Sequence, residues 1–307
     1  MSIVSPMTRV LKADEIGIVP HNAPRLLLPD PRTVFQQRAR RLHYLADGHD
    51  LAAWLLFCHA LSLAQGRLVD RVQIEDGEAQ ASLSLALTER SWGYWQALLA
   101  ELIGATTHSP HSPPTQVGKG LTPEALALVK TLQTWPKATW QTQAQALLLG
   151  EDGVTPEAAP FLGAALQVEW TLRASQLPTA IHAAYQGESA VCPVCGSHPM
   201  VSLVHTGDPN HGVRYLVCTL CQSQWQAARA KCTNCDSPKE VVLLGPSEKA
   251  PIQGECCEVC QSYVKLLSLP REVQLDPCAD DLATLGLDVM LEQEGYGRAA
   301  RNLLSAY

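Results

Sequence analysis

The first part of the chain carries apolar residues at helical spacing, with no run of alternating apolar and polar residues before residue 190. A first helix is predicted from Pro31, which suits the first helical turn and follows the capping residue Asp30. It ends at Gly48, and a second, largely apolar helix begins after Asp50. Further helices are predicted over residues 78–104, 123–134, 137–149 and 156–177. This pattern predicts an all-α domain over residues 1–186.

The pattern then changes to short β-like runs separated by turns, at residues 201–204, 215–217, 241–244 and 263–267. The same region contains an internal repeat, because Cys192 recurs as Cys232 at an offset of 40 residues. Cys218 likewise recurs as Cys257 at an offset of 39 residues. Each copy is predicted to contain a cysteine turn, a strand, a turn, a second strand and a second cysteine turn. Helical spacing returns after Asp280.

Cysteines carry the chemistry of this sequence, since ten of its eleven fall between residues 192 and 278. A tight Cys-x-x-Cys turn presents two sulfurs to one ion, and two facing turns complete a tetrahedral four-sulfur shell. Nothing in the sequence indicates export, so these pairs indicate metal sites rather than disulfides. The eight candidate ligands are Cys192, Cys195, Cys218, Cys221, Cys232, Cys235, Cys257 and Cys260.

The pairing of the four cysteine turns has alternatives. The repeat favours sequential pairing, first turn with second and third with fourth, because each copy then holds a complete site. A cross-braced arrangement and a site shared by the second and third turns remain open. The alternative to metal binding is that the Cys-x-x-Cys pairs are redox-active dithiols. Thioredoxin-like motifs of this kind usually lie in a βαβ context, which this region lacks. Zinc and iron both accept four sulfurs, and ligand identity alone does not separate them.

The spacing therefore predicts a multi-domain protein with an all-α N-terminal domain, two tandem small β modules of the rubredoxin-like or zinc-ribbon type, and a short helical C-terminal tail. A module of about 40 residues is near the size that needs a metal or another staple in order to fold. The predicted parts are a mainly helical domain (1–186), a first ribbon (187–227), a second ribbon (228–270) and the tail (271–307).

Composition and charge narrow the class of protein. Hydrophobic residues make up 46% of the chain and charged residues 17%, which is typical of a globular protein. The longest apolar run, residues 51–64, is interrupted by His59 and Ser62 and is too short to cross a bilayer. Residues 1–16 lack the apolar core of a secretory signal. We therefore expect a cytoplasmic protein with no membrane insertion.

Binding to nucleic acid is disfavoured by charge. The formal net charge is −7, and residues 192–265 contain six basic and six acidic residues. Two divalent ions held by eight thiolates would add four further negative charges, which repel phosphate. A zinc-ribbon nucleic-acid-binding protein is thus the least favoured of the functions considered. The sequence also contains no Gly-x-Ser-x-Gly, phosphate-loop or dinucleotide motif, so no catalytic residues are predicted and the protein is not expected to be an enzyme.

Three cysteines remain outside the four turns. Cys256 adjoins Cys257 and is either an alternative ligand or a spectator. Cys278 has no partner in the sequence, and Cys58 is expected in the core of an apolar helix.

Several motifs resemble the family of the formate dehydrogenase accessory protein FdhE. The most specific is residues 212–235, GVRYLVCTLCQSQWQAARAKCTNC, which contains the second and third cysteine turns. The segment CPVCGS at residues 192–197 and the helical segment 34–65, with LADGH at 45–49, match as well. So does the tail, with DLATLGLD at residues 281–288 followed by EGYGR at 294–298. The resemblance covers most of the chain.

The resemblance implies a cytoplasmic accessory or maturation factor that formate dehydrogenase needs for activity. Such proteins are thought to contact the catalytic subunit before its export by the twin-arginine route. Their ribbons are rubredoxin-like and associated with iron, so two iron ions per chain are expected, with zinc as the alternative. A rubredoxin-like electron-transfer protein is the second function considered. Many relatives carry Glu-Trp-His where this chain has Gln224-Trp225-Gln226, so roles of that Glu or His are not transferred.

The segment 222–231, which links the two ribbons, is the predicted partner-binding site. It contains Trp225 and Arg229, and these residue types dominate interaction hot spots. The alternative is structural: Trp225 packs between the ribbons, and Arg229 offsets thiolate charge.

Overall fold

Helices fill the first part of the chain, as their spacing predicts. The structure is a computed structural model that describes residues 9–10, 23–71, 83–104, 121–178, 185, 189–229, 231–238, 241–299 and 301–305. The helices before residue 190 in these ranges are α1 (Pro31–Leu45), α2 (Ala52–Arg71), α3 (Glu89–Gly104), α4 (Pro123–Gln133), α5 (Lys137–Leu149) and α6 (Ala159–Ser175). The predicted boundary at 186/187 lies outside the described residues.

Local sequence signals set several of these helix ends. The carboxylate of Asp30 accepts a hydrogen bond from the Arg32 N–H at 3.2 Å, at the start of α1. The hydroxyl of Thr122 accepts from the Ala125 N–H at 3.2 Å, at the start of α4. Helix α5 ends at Gly150, whose φ of 69° suits a residue without a side chain.

The helix predicted over 78–104 is shorter in the structure. Residues 83–88 have no regular secondary structure, and residues 78–82 lie outside the described part. The segment 83–88 is held by tertiary contacts, since the Leu83 N–H donates to the carbonyl of Val194 at 2.6 Å. The indole of Trp170 donates to the carbonyl of Ser84 at 3.1 Å. These contacts override the helical spacing of the segment, which instead connects the helices to the first cysteine turn.

Helix α2 is the central helix of the first part. By length and composition it is the one helix among the described residues that would suit a membrane span, and 61% of that stretch is buried inside the protein. It packs against α1, α3 and α6, with Leu55, Cys58 and Leu61 fully buried. Its apolar character is therefore accounted for by protein packing. The predicted place of Cys58 in the core is confirmed.

One nine-stranded sheet, counted within the described residues, organises the second part of the chain. The strands are β1 (Arg9–Val10), β2 (Leu26–Leu27), β3 (Pro199–Val204), β4 (Arg214–Cys218), β5 (Gln224–Gln226), β6 (Val241–Leu244), β7 (Ile252–Cys257), β8 (Ser262–Ser268) and β9 (Gly297–Arg298). Their order in the sheet is β1-β6-β7-β8-β3-β4-β5-β2, with β9 also paired to β8. The four predicted strands are confirmed: β6 has the predicted bounds, and β3, β4 and β8 are each two residues longer. The other five strands are not among the predicted runs.

The two ribbons are present as repeats of three strands, and they share this sheet. Strands β3, β4 and β5 form the first antiparallel unit, and β6, β7 and β8 form the second. Parallel pairing of β3 with β8, with Ser202 opposite Leu266, joins the units. A buried ion pair crosses between them as well, with Arg214 of β4 at 2.7 Å from Glu255 of β7. The helical part also contributes, because Leu26 of β2 pairs with Trp225 of β5.

The C-terminal tail is helical, as predicted, and contacts both parts. It contains α7 (Pro277–Ala283) and α8 (Leu285–Gln293). Arg41 of α1 pairs with Asp280 of α7 at 2.7 Å, and both side chains are buried. Lys265 of β8, which is also buried, pairs with Asp281 at 3.1 Å. Buried pairs of this kind are costly to break one partner at a time, so the tail fixes the helices to the second ribbon.

Candidate metal centres

Four sulfurs from the first and second cysteine turns form one group, named here the first sulfur group. Each of these atoms lies within 4.8 Å of the other three. The Cys192 and Cys221 sulfurs are 3.6 Å apart, and those of Cys195 and Cys218 are 3.5 Å apart. All four cysteines are buried.

The third and fourth cysteine turns form the second sulfur group in the same way. Its four sulfurs also lie within 4.8 Å of one another. The Cys232 and Cys260 sulfurs are 3.6 Å apart, and those of Cys235 and Cys257 are 3.8 Å apart. Sequential grouping of the turns, favoured by the repeat, is therefore the arrangement that the structure shows.

The spacing of the sulfurs fits a tetrahedral ion. A metal–sulfur bond of about 2.3 Å places the sulfurs of a tetrahedral shell about 3.8 Å apart. The four sulfur–sulfur distances given above, 3.5 to 3.8 Å, agree with this value. Both groups can thus hold a divalent ion that accepts four thiolates, and zinc and iron both meet this requirement.

The cysteine turns share a backbone geometry, so the internal repeat extends to equivalent hydrogen bonds and φ angles. The Cys192 N–H donates to the Ser197 carbonyl at 2.8 Å, and the Cys232 N–H donates to the Ser237 carbonyl at 2.9 Å. In all four turns the residue after the second cysteine has positive φ, which costs a residue with a side chain about 1–2 kcal/mol. The φ values are 78° at Gly196, 61° at Gln222, 63° at Asp236 and 52° at Gln261.

Backbone N–H groups point at sulfurs in both groups. The N–H groups of Leu220 and Cys221 each lie 3.4 Å from the Cys218 sulfur. In the second group, the Asn234 N–H lies 3.3 Å from the Cys232 sulfur. Such hydrogen bonds stabilise thiolates, which matters because four thiolates around one divalent ion leave a net negative charge.

Two serine hydroxyls lie beside ligand sulfurs, and they were not identified from the sequence. The hydroxyl of Ser223 lies 3.2 Å from the Cys221 sulfur, and that of Ser262 lies 3.0 Å from the Cys260 sulfur. A hydroxyl at this distance donates a hydrogen bond to a thiolate and orients it. The available signal was a serine two residues beyond every Cys-x-x-Cys pair, which extends the motif to Cys-x-x-Cys-x-Ser at all four turns.

Burial and hydrogen bonding act on the ligand thiols in opposite directions. Burial raises the pKa of the Cys192 and Cys218 thiols well above the usual range. Thiolates at these positions therefore need a cation beside them. Burial also acts to raise the pKa of Cys260, but hydrogen bonds from Ser262 and the neighbouring cysteines outweigh it and lower the value to about 6.

The three other cysteines lie outside both groups. Cys256 is buried in β7, and burial raises the pKa of its thiol to about 12. Burial likewise raises the pKa of Cys278 to about 12, and the amide of Asn302 lies 3.5 Å from its sulfur. The sulfur of Cys256 belongs to neither sulfur group, so this residue is a spectator rather than a ligand.

Trp225 and Arg229, the two residues predicted for partner binding, differ in burial. The side chain of Trp225 has no exposed surface and belongs to the main hydrophobic core. Its indole N–H donates to the carbonyl of Ser189 at 2.8 Å. A side chain buried in this way anchors the first ribbon to the hydrophobic core. Arg229 is half-buried and donates a hydrogen bond to the carbonyl of Gly212, so part of its surface remains accessible.

Models of one protein family match consecutive parts of the chain. "FdhE, N-terminal" matches residues 23–187, "FdhE, central domain" residues 191–229, and "FdhE, C-terminal domain" residues 230–305. The boundary between the last two models separates the two sulfur groups. The family models therefore divide the region where the internal repeat does.

Relatives match over nearly full length. A protein FdhE homolog from Edwardsiella ictaluri is 36% identical, with 98% of each chain covered. Protein FdhE from Escherichia coli is 31% identical, with 96% of each chain covered. The crystal structure of the FdhE protein from Pseudomonas aeruginosa matches with a TM-score of 0.74 at 30% identity, covering 92% of this chain and 99% of that one.

Proposed function

The chain belongs to the FdhE family, and on this premise we propose that it is an accessory protein required for formate dehydrogenase activity, and not itself an enzyme. The observation that carries the proposal is the match along 98% of a relative's length, which spans the helices and both sulfur groups. An accessory role agrees with a molecule whose distinctive chemistry lies in two four-sulfur shells.

The client in this proposal is the catalytic subunit of formate dehydrogenase. The accessory protein binds it in the cytoplasm, before export, and acts without inserting into a membrane or binding nucleic acid. The division into a helical domain (1–186), two ribbons (187–227 and 228–270) and a tail (271–307) belongs to the same proposal.

Two metal ions per chain complete the proposed protein, with iron as the first assignment and zinc as the alternative. The first is held by Cys192, Cys195, Cys218 and Cys221, and the second by Cys232, Cys235, Cys257 and Cys260. Either metal crosslinks two turns of one ribbon, and iron adds the capacity for one-electron chemistry. The residues of this chain supply the thiolates, and the neighbouring N–H and hydroxyl groups stabilise their charge.

Electron transfer is a second candidate function, favoured by one observation. Cys235 of the second sulfur group is exposed, and a redox centre must lie close to its partner. Metal analysis with a visible absorption spectrum separates the two functions. Bound iron that cycles reversibly between oxidation states favours electron transfer, whereas zinc excludes it because zinc has no redox chemistry.

The accessory role is tested by capture of the client. Full-length protein isolated with its metals is immobilised and offered the catalytic subunit of formate dehydrogenase in apo and mature forms. We expect capture of at least one form, together with loss of formate dehydrogenase activity in cells that lack the accessory protein. A wild-type protein that captures neither form contradicts the client proposal.

Arg229 remains the proposed contact residue in the link between the ribbons. We expect Arg229→Ala to weaken capture while both metals and the melting temperature are retained, because the exposed part of the side chain is what the client would contact. Arg40→Ala is the matched control, since Arg40 is an exposed arginine on α1. A variant that instead loses metal or stability would assign Arg229 to the structure of the link.

A further inference from the structure

The two sulfur groups differ in their access to solvent. In the first group no cysteine is more than 2% exposed. In the second group Cys232 and Cys257 are buried, Cys260 is partly exposed and Cys235 is exposed. The turn between Cys257 and Cys260 also presents Val259, which is 55% exposed. The same ligand set therefore lies in a closed site and in an open one.

The first group is anchored from three directions through its second turn. Gln167 of α6 donates to the carbonyl of Thr219 at 2.8 Å. The Thr219 hydroxyl donates to the carbonyl of Arg301 at 2.7 Å and lies 3.3 Å from the Leu303 N–H. Helix α1 contributes as well, because Arg38 donates to the side-chain carbonyl of Gln222 at 2.8 Å. Opening this turn requires the helices and the tail to separate from it.

The second group is held by its own ribbon and by the last strand of the tail, since the Gly297 N–H donates to the carbonyl of Gln261 at 2.8 Å. The amide of Asn234 donates to the Ser262 hydroxyl at 3.3 Å, within the same unit. Lys231 pairs with the exposed carboxylate of Asp236 at 2.8 Å, at the surface. Arg214 of the first ribbon donates to the Thr233 hydroxyl at 3.0 Å.

We propose that the two sites have different roles: the first sulfur group holds a permanent structural ion, and the second is an exchange site that releases and takes up metal while the protein stays folded. This inference rests on the proposed binding of two metals. Its physical basis is that an exposed turn opens by a local fluctuation, whereas a turn held by several elements opens only with them. The exposed Cys235 gives a competing ligand its first point of access.

The test follows metal release and thiol exposure in the wild-type protein with both zinc ions bound. A zinc chelator is added with iodoacetamide, and each freed thiolate sulfur attacks the methylene carbon and displaces iodide. Mass spectrometry of peptides then shows which cysteines are labelled. We expect one zinc equivalent to leave on the order of tenfold faster than the other, with the four cysteines of the second group labelled first.

Several results would overturn the inference. Release of both ions at one rate, or earlier labelling of the first group, contradicts unequal roles. Circular dichroism follows the secondary structure while the faster of the two ions is released. Loss of secondary structure at that stage contradicts exchange in the folded protein. A purified protein that cannot bind two equivalents fails at the earlier step, and that result refutes the proposed metal content itself.

A matched pair of variants tests the anchoring. Thr219→Val removes the hydroxyl that contacts the tail and should accelerate release from the first group only. Thr233→Val makes the same change beside the second group and should leave release from the first group unchanged. Equal acceleration of the first group by both variants would show that the anchoring contacts do not control release.

Discussion

Cys256 and Cys257 are neighbours in β7 whose side chains project from opposite faces of the strand. Only the Cys257 sulfur belongs to a sulfur group. Cys256 instead joins the hydrophobic core with Leu291 of α8. Adjacent cysteines therefore have different roles, because alternation along the strand places one sulfur in the metal site and the other in the core.

These two cysteines give a paired prediction about metal content. Cys257→Ala should lower the bound metal by one equivalent, because three sulfurs remain in its group. Cys256→Ala should retain both equivalents and lose only a small amount of packing. Elemental analysis of the purified variants measures the outcome. Loss of one equivalent from Cys256→Ala would make that residue a ligand and contradict the assignment.

Single residues also show what the sequence conceals. The cysteine ligands were predictable because a four-sulfur shell demands a fixed spacing. The positive φ of Gln222 and Gln261 was not, since glutamine rarely adopts this backbone conformation. Both residues occupy the position that Gly196 fills in the first turn. Aligning the four turns would therefore have predicted a positive φ at this position, whereas the residue type glutamine does not.

At the scale of elements, helical signals succeeded where local chemistry decides the structure. Asp30, the predicted capping residue, starts α1, and Thr122 and Gly150 lie at the ends of α4 and α5 in the same way. The start of α3 was wrong because Leu83 forms a hydrogen bond with Val194, far along the chain. Strand β7 was not among the predicted runs because it contains Gly254, whose lack of a side chain makes room for Leu291.

Packing of α6 against the C-terminal tail leads to a second paired prediction. A Cβ added at Gly163 would lie 2.0 Å from the carbonyl oxygen of Leu303, so either the helix or the tail must shift. We expect Gly163→Ala to lower the free energy of unfolding by about 1–3 kcal/mol, the usual range for overpacking. Chemical denaturation followed by circular dichroism measures the change.

Gly66 provides the control on a second helix. A Cβ there would meet only the Phe35 Cβ, at an ordinary 3.8 Å. Gly66→Ala should raise the free energy of unfolding by about 0.5–1 kcal/mol, because alanine is the better helix former. Equal destabilisation by both alanines would show that contact with the tail is not the cause.

At the scale of the whole molecule, the sequence predicted two copies of a ribbon but not that both belong to one sheet. The repeat identifies each copy, but the parallel pairing of Ser202 with Leu266 joins residues far apart in the chain. Nothing local encodes that pairing, which depends on how both ribbons pack with the tail and the helices. The buried contact between Arg214 and Glu255 is hidden for the same reason, because neither residue type marks a core position.

The remaining prediction is that the helical part folds without the rest of the chain, and the structure shows which contacts such a fragment would lose. Six of the seven tryptophans lie in this part, and Trp95, Trp140 and Trp170 are almost fully buried there. Three polar residues of the helices nevertheless have buried partners beyond it: Arg38 with Gln222, Arg41 with Asp280, and Gln167 with Thr219. A fragment would leave these groups, and the apolar surface around them, in water.

We therefore expect a fragment of residues 1–187 to be helical and to melt cooperatively, but at a lower temperature than the full chain with both metals. Each kcal/mol lost lowers the melting temperature by about 2–4 °C at this size. Circular dichroism gives the helix content and the melting curve, and size-exclusion chromatography confirms that the fragment is monodisperse. A soluble fragment without helical signal, or one that melts without cooperativity, would mean that the helices need the sheet to fold.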